Sequence, residues 1–351
     1  MPSKFLKELT QFHGLSGFED EVRMYIKSEA EKNGFKTSHD KLGSIVATKC
    51  NGVNTVALVA HMDEVGFIVK YIDKNGFIYF ETVGNWWKQS ILNHKVSIKT
   101  KNSKINGIIG SISPHALSDD MIKNGVNIKD MYIDIGANSL QDVIDEGIEI
   151  GNPICPIGEY EKLNDKLISK ALDDRAGCSI LLDMANICHE QDYNLSLVGT
   201  AQEEVGLRGA QASAHIVNAD IAIILDVTIC GDSPGINEKD FQTNMNQGPS
   251  ICVFDKRTIP NQKLLNFVKE VSKNNNIPIQ YYSMSTGATD GGRYNVVNAG
   301  SAVISIAIPS RYIHANNSMI SSTDYIQTRK LVCKLLQTLS DEKISEIINF
   351  E

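Results

Sequence analysis

Apolar residues recur at helical spacing at the start of the chain. Phe5, Leu6, Leu9 and Phe12 fall on one face of a helix over residues 3–12. A glycine-containing turn, GLSG, follows, and Ser16 is placed to cap a second helix that ends near Gly34. The compact apolar runs SIVATK and TVALVAH then read as strands.

From about Phe67 to Leu163 the texture changes. FIVKYID, FIYFETV, KVSIKT, INGIIGSI and MYIDIG are short alternating or apolar runs separated by Gly, Asn, Asp and Ser. They read as a small all-β module, with strands of one mixed sheet as the alternative. After Leu167 strands and helices alternate again. A helix from about Arg175 precedes LSLVGTAQ, a short one at 209–217 precedes IAIILDV, and one at 261–274 precedes IQYYS. AVISIAI is a further strand, and a helix over 322–340 closes the chain. Alternation of this kind predicts an α/β fold with a mostly parallel sheet flanked by helices. The expected organisation is one catalytic domain, 1–66 and 165–351, interrupted by a β-barrel domain at 67–164.

Composition narrows the setting. A length of 351 residues suits one large domain plus a smaller one. A net charge of −8 argues against nucleic acid as a partner. The opening MPSKFLKELTQF lacks the apolar core of a signal peptide, and no later segment approaches a membrane span. Seven scattered cysteines, none in a CxxC pair, fit a reduced chain. A cytoplasmic protein with no membrane partner is expected.

The chemistry lies at strand ends. His61 closes TVALVAH, Asp173 closes LISKALD, Glu203 and Glu204 follow LSLVGTAQ, Asp226 ends IAIILD, and His314 comes shortly after AVISIAIPS. In an open α/β sheet those ends form one ligand-binding rim. Imidazole nitrogen and carboxylate oxygen suit zinc-like ions. Two ions about 3.5–4 Å apart need an anionic bridge, for which a short Asp is suited. The water they acidify needs a base that stays off the metals, so Glu203-Glu204 offers one ligand and one free carboxylate. Asp63 stands two residues past His61, placed to accept the other imidazole N–H. Singly, each of these would be an ordinary turn, cap or solvated residue.

AHMDEVGF, ALDDRAGC, QEEVGLRGA, ILDVTICGDSPG and SRYIHANN together resemble the glutamyl/deblocking aminopeptidase family of co-catalytic metallopeptidases, the tetrahedral aminopeptidase group. The likeness begins at GLSGFEDEVRMYI and runs over nearly the whole chain. It implies a zinc-exopeptidase-like catalytic fold carrying a barrel that mediates dimerisation. It also implies two divalent ions per subunit, zinc or cobalt, with manganese as a further option. His61, Asp173 and Asp226 would hold one ion; Asp173, Glu204 and His314 would hold the other. Glu203 would be the general base and Asp63 the orienting carboxylate. The implied substrates are peptides with a free N-terminus, and the implied assembly is a homo-oligomer, a dimer or a twelve-subunit dodecamer built from dimers. Which of Asp173 and Asp174 forms the bridge stays open.

Some positions depart from the family. HANNSM replaces a run resembling HSPVE, so Ala315 and Ser318 stand where Ser and Glu are usual. TGATDGGRYN differs at Thr286 and Gly291. His115, in ISPHAL, matches a recurring Pro-His whose role is structural or directed at a neighbouring subunit. Rival readings are an endoglucanase, a silent scaffold, and a metal-dependent acylase or carboxypeptidase. The first suffers from an aromatic content of 7% and a lone Trp86-Trp87 pair.

Overall fold

The computed structural model describes residues 2–188 and 191–351. Its centre is a sheet of eleven strands. Asn194–Thr200, Thr55–His61, Ile221–Ile229 and Ala302–Arg311 run parallel side by side at its middle. Lys36–His39 and Ile45–Lys49 extend one edge antiparallel, and Ser318–Ser321, Lys166–Ser169 and Glu161–Leu163 extend the other. The parallel part is therefore confined to the centre. Ser250–Asp255 pairs with Ala302–Arg311 and carries Gln280–Met284 beside it.

The middle strands are apolar throughout because both faces are covered. Along Thr55–His61, Val56, Leu58 and Ala60 point into the larger core with the helices Lys4–Gln11, Asp20–Lys32, Leu172–Ile187, Gln262–Asn274 and Ser322–Thr338. Ala57 and Val59 point to the other face, under Arg208–Val217 and the short helix Gly291–Tyr294. The period-two alternation of a strand thus divides one apolar run between two cores.

The segment between the two halves of this sheet closes on itself. Gly66–Ile72, Ile78–Val83, Tyr132–Asp134, Lys104–Gly110, Lys95–Lys99 and Pro153–Pro156 pair in that cyclic order as a six-stranded barrel. Phe67, Val69, Ile78, Phe80, Val96, Ile98, Ile133 and Ile154 fill it. Closure leaves no free sheet edge. The mixed-sheet alternative is thereby ruled out. The strand Glu161–Leu163, which the sequence reading gave to the inserted module, instead pairs with Lys166–Ser169 of the large sheet. Its residues are all exposed, so no hydrophobic pattern marks it.

Local details also differ. Ser16 does not cap the second helix: Glu19 holds the cap position of Asp20–Lys32, and the Ser16 hydroxyl donates instead to Asp63 Oδ2 at 2.5 Å. The helix expected from Arg175 begins at Leu172, with Asp173 and Asp174 in non-helical conformation at its start. Among the described residues no helix is long and apolar enough to cross a membrane.

Candidate metal centre and substrate cleft

Parallel register sets the site. His61 is the last residue of its strand and pairs with Thr200, so Glu203 and Glu204 leave the neighbouring strand three and four residues later. Asp226 pairs with Ala307 on the next strand, and His314 lies in the loop after Arg311. Asp173 enters from the start of the helix behind Lys166–Ser169. All these side chains meet at one rim.

There Asp173 stands between the imidazoles. Its Oδ1 lies 2.9 Å from His61 Nε2 and its Oδ2 3.5 Å from His314 Nε2. His314 Nε2 is also 3.2 Å from Glu204 Oε2, and His61 Nε2 is 4.0 Å from Asp226 Oδ1. Donor atoms of His61, Asp173 and Glu204 fall within 4.8 Å of one another. Asp174 turns away: it is buried, and its Oδ1 accepts the backbone N–H of Gly177 at 2.9 Å. Only a glycine fits at 177, because a Cβ there would come within 2.3 Å of the Asp174 carboxylate.

Asp63 meets His61 through its main chain and its side chain. His61 Nδ1 donates to the Asp63 backbone carbonyl at 3.1 Å, while the Asp63 carboxylate lies farther off, at 3.5 Å. That carboxylate accepts the backbone N–H groups of Glu203 (2.9 Å) and Glu204 (3.1 Å) and the Ser16 hydroxyl. The imidazole is thus oriented by main chain, with Nε2 turned to the site. The rim loops are tightly wound. Ala171, Gln202, Tyr312 and His314 take positive φ of 52°, 57°, 60° and 57°. Left-handed backbone at non-glycine residues is characteristic of functional sites.

The electrostatics show what the donors lack. Burial would lower the proton affinity of His61, but hydrogen bonds to Asp173 and Asp63 raise it well above the usual imidazole range. For His314 burial is likewise outweighed by Asp173 and Glu204, to about 11. Burial, and then neighbouring carboxylates, push Glu203 and Asp226 well above the carboxylate range. No Lys or Arg among the described residues forms an ion pair with Asp173, Glu203, Glu204 or Asp226. A site that draws protons onto both imidazoles and onto Glu203 and Asp226 is short of positive charge. Nitrogen and oxygen donors around such a deficit fit divalent transition ions.

Several contributors carried no sequence assignment. Asp290 is buried, accepts from Thr200 Oγ1 and faces the Glu203 side of the site; burial, ahead of the charge of Asp63, raises its carboxyl to about 6. Glu64 is buried between Lys170 (2.7 Å) and Arg175 (3.3 Å). Arg175 further donates to the carbonyls of Met62, Leu9 and Gly14, tying the His61 loop to the first helix. Glu64 and Arg175 lie inside AHMDEVGF and ALDDRAGC, so their motifs were visible but their partnership was not.

The departures resolve individually. Ser318 is buried and donates to the Ser169 carbonyl, and Ala315 sits against a small recess beside His314. Gly291 allows close packing, since a Cβ there would lie 2.9 Å from Val303. Thr286 lines the cleft, whereas exposed His115 lies in a turn of the barrel and does not line it. The cleft over the rim has a volume of about 370 Å³. That is small-ligand size, so a chain terminus enters and a folded domain does not.

Comparison with known proteins shows the chain to be an aminopeptidase. The chain belongs to the M42 glutamyl aminopeptidase family, which matches residues 43–331. It is 44% identical to FrvX of Escherichia coli (strain K12) over 352 residues, covering 100% of this chain and 99% of that one. The TET aminopeptidase of Thaumarchaeota archaeon SCGC AB-539-E09 superposes with a TM-score of 0.94 at 38% identity, covering 98% of each chain. The TET1 peptidase of Pyrococcus horikoshii, which can assemble into a tetrahedron or a large octahedral shell, gives 0.86 at 27% identity over 96% of this chain and 99% of that chain.

Proposed function

We propose that this aminopeptidase removes single residues from peptides with a free N-terminus, and that two divalent ions, zinc, cobalt or manganese, serve the reaction. His61, Asp173 and Asp226 would hold one ion, and Asp173, Glu204 and His314 the other. The observation that carries this reading is Asp173, whose two oxygens address two different imidazoles. When bound, the ions would polarise the scissile carbonyl and acidify the attacking water.

The chain supplies the rest. Glu203 takes the proton of the attacking water and passes it to the departing amine. Its environment of burial and surrounding carboxylates raises its proton affinity, which suits a shuttle. Asp63 fixes the backbone of both glutamates, so that one carboxylate stays a ligand and the other stays free. The confined cleft favours a chain end over an internal loop. The cleft does not suit an endoglucanase: Trp86 stacks on Phe67 at 4.7 Å inside the barrel module, and neither Trp86 nor Trp87 lines the cleft where a sugar would need to stack.

The reading includes a division of labour, with catalysis in the large α/β unit and assembly through the barrel. Trp87 and Ile122 are exposed on the barrel module, apolar surface of the kind that interfaces cover. By analogy with the TET1 peptidase, a dimer building a dodecamer is the expected state.

The test is release of p-nitroaniline from amino-acyl p-nitroanilides by metal-stripped protein after addition of zinc, cobalt or manganese, with N-acetylated substrates as controls. Metal-restored release from free N-termini alone supports the reading. Release that survives chelation, or that ignores acetylation, would remove it.

A further inference from the structure

Glu19 stands at the cap position of the helix Asp20–Lys32, yet its side chain makes no cap bond to that helix. A polar side chain at this position ordinarily accepts an N–H from the first turn. Here Oε1 turns away and accepts the Gly17 N–H at 2.7 Å and the Gln202 N–H at 3.0 Å, the second across 183 positions of sequence. Glu19 is buried, and no Lys or Arg among the described residues forms an ion pair with it. Burial, ahead of the charge of Asp63, raises its carboxyl to about 7. A carboxyl so placed is held in the fold by backbone N–H donors.

Gln202 links this contact to the chemistry. It opens the loop that carries Glu203 and Glu204, and its backbone is left-handed, with φ of 57°. A non-glycine residue keeps that conformation where its surroundings fix it. Glu19 supplies one such contact, and Asp63 takes the next two N–H groups, those of Glu203 and Glu204. Three consecutive N–H groups of one loop thus point into two buried carboxyl groups, one just past the strand Thr55–His61 and the other at the start of the second helix. Two anchored points leave the loop an axis to turn about; the third, at Gln202, fixes the direction in which the Glu203 side chain leaves. Glu203 lines the cleft and Glu19 does not, so Glu19 acts through the loop. We infer that Glu19 is a positioning residue of the aminopeptidase: its carboxyl oxygen sets the entry of the 202–204 loop and so aims Glu203 at the reacting water. The inference rests on the reading of Glu203 as the proton shuttle. What Glu19 contributes is an acceptor of the right reach, not a charge.

Three variants separate reach from charge. Glu19→Gln keeps an oxygen at the same distance and removes the charge. Glu19→Asp keeps the charge and withdraws both oxygens by one methylene. Glu19→Met keeps the length and removes the acceptor. Each is measured as metal-loaded protein on the amino-acyl p-nitroanilide that the wild type cleaves best, with metal content by elemental analysis and the fold by circular dichroism. Glu19→Asp and Glu19→Met should lose about 10- to 100-fold in kcat, the usual effect of a group that supports a metal site from behind. KM and metal content should stay near wild type. Glu19→Gln should keep most of kcat, and this rescue marks the acceptor as the active feature. Glu19→Asp carries the comparison even where Glu19→Met does not fold. Introduced into Glu203→Gln, Glu19→Asp should leave the residual rate unaltered, since a group that works by aiming Glu203 then has nothing to aim. Wild-type kcat in Glu19→Asp, a Glu19→Gln variant as slow as Glu19→Asp, or a further loss in the Glu203→Gln background would overturn the inference and leave the aminopeptidase reading standing. Wild-type turnover by Glu203→Gln itself would remove the role of Glu203 and the inference with it. Absence of turnover by the wild type on every substrate with every metal would overturn both readings.

Discussion

The backbone N–H of Glu203 donates to Asp63 Oδ1 at 2.9 Å, across 140 positions of sequence. With the Glu204 N–H on Oδ2, it makes one buried carboxylate the anchor of the loop that bears both glutamates. Asp63→Asn replaces one acceptor oxygen by a donor and sets it against an N–H. The loop must shift, and kcat should fall about 10- to 100-fold, the usual cost of losing a supporting group behind a metal site. Circular dichroism should show an intact fold. Wild-type kcat in this variant would mean the loop is held by other contacts.

Glu203→Gln keeps the shape of the proposed base and removes its proton-carrying function. Metal binding should stay at two ions per chain, measured by elemental analysis after dialysis, because Glu203 is not among the proposed ligands. Turnover should drop about 100- to 10,000-fold, the range for a positioned acid–base group. A variant that loses a metal instead would place Glu203 among the ligands.

The parts of this site that were legible in sequence were those that end apolar runs. His61 closes a strand buried on both faces and Asp226 lies three residues before the end of another, Ile221–Ile229, and a fully buried strand announces itself by its apolar pattern. The barrel was legible for the same reason, through alternation. What stayed hidden depends on pairing between distant segments. Ser16 has the residue type and position of a helix cap, yet its hydroxyl is drawn to Asp63, and only the folded chain brings those two together. Asp290 reaches the site through Thr200, 90 positions away. Glu161–Leu163 is a strand held by its hydrogen-bonded partner with no buried face, so hydropathy could not distinguish it from a loop.

Glu64 should prove a stability determinant. It is buried with Lys170 and Arg175, and its neutralisation leaves two cations in a site that excludes water. Removing one partner from such a group costs about 3–5 kcal/mol. Glu64→Gln should therefore lower the unfolding free energy by that order in urea titration of the metal-free protein. Glu64→Gln combined with Lys170→Met should recover part of the loss. Equal stability of wild type and single variant would show that water reaches the cluster.

Glu21 joins the second helix to the barrel. Its carboxylate meets Lys99 at 3.0 Å and Lys104 at 2.9 Å, and it accepts the His13 N–H at 3.0 Å. Partial burial would raise its affinity for protons, but Lys104, His13 and Lys99 outweigh burial and bring the carboxyl down to about 2. A carboxyl lowered on folding stabilises the folded state wherever the group is ionised, because the folded chain holds the charged form more favourably than the unfolded chain does. Its contribution is therefore complete above the ordinary value of 4.5 and disappears as pH falls through about 2. Solvent screens a group this exposed, so the effect is modest. Glu21→Gln should lower Tm at pH 7, and the gap to wild type should close between pH 4.5 and 2 in thermal unfolding followed by circular dichroism. A gap that stays constant with pH would mean that the Glu21 contacts stabilise by packing and not by charge.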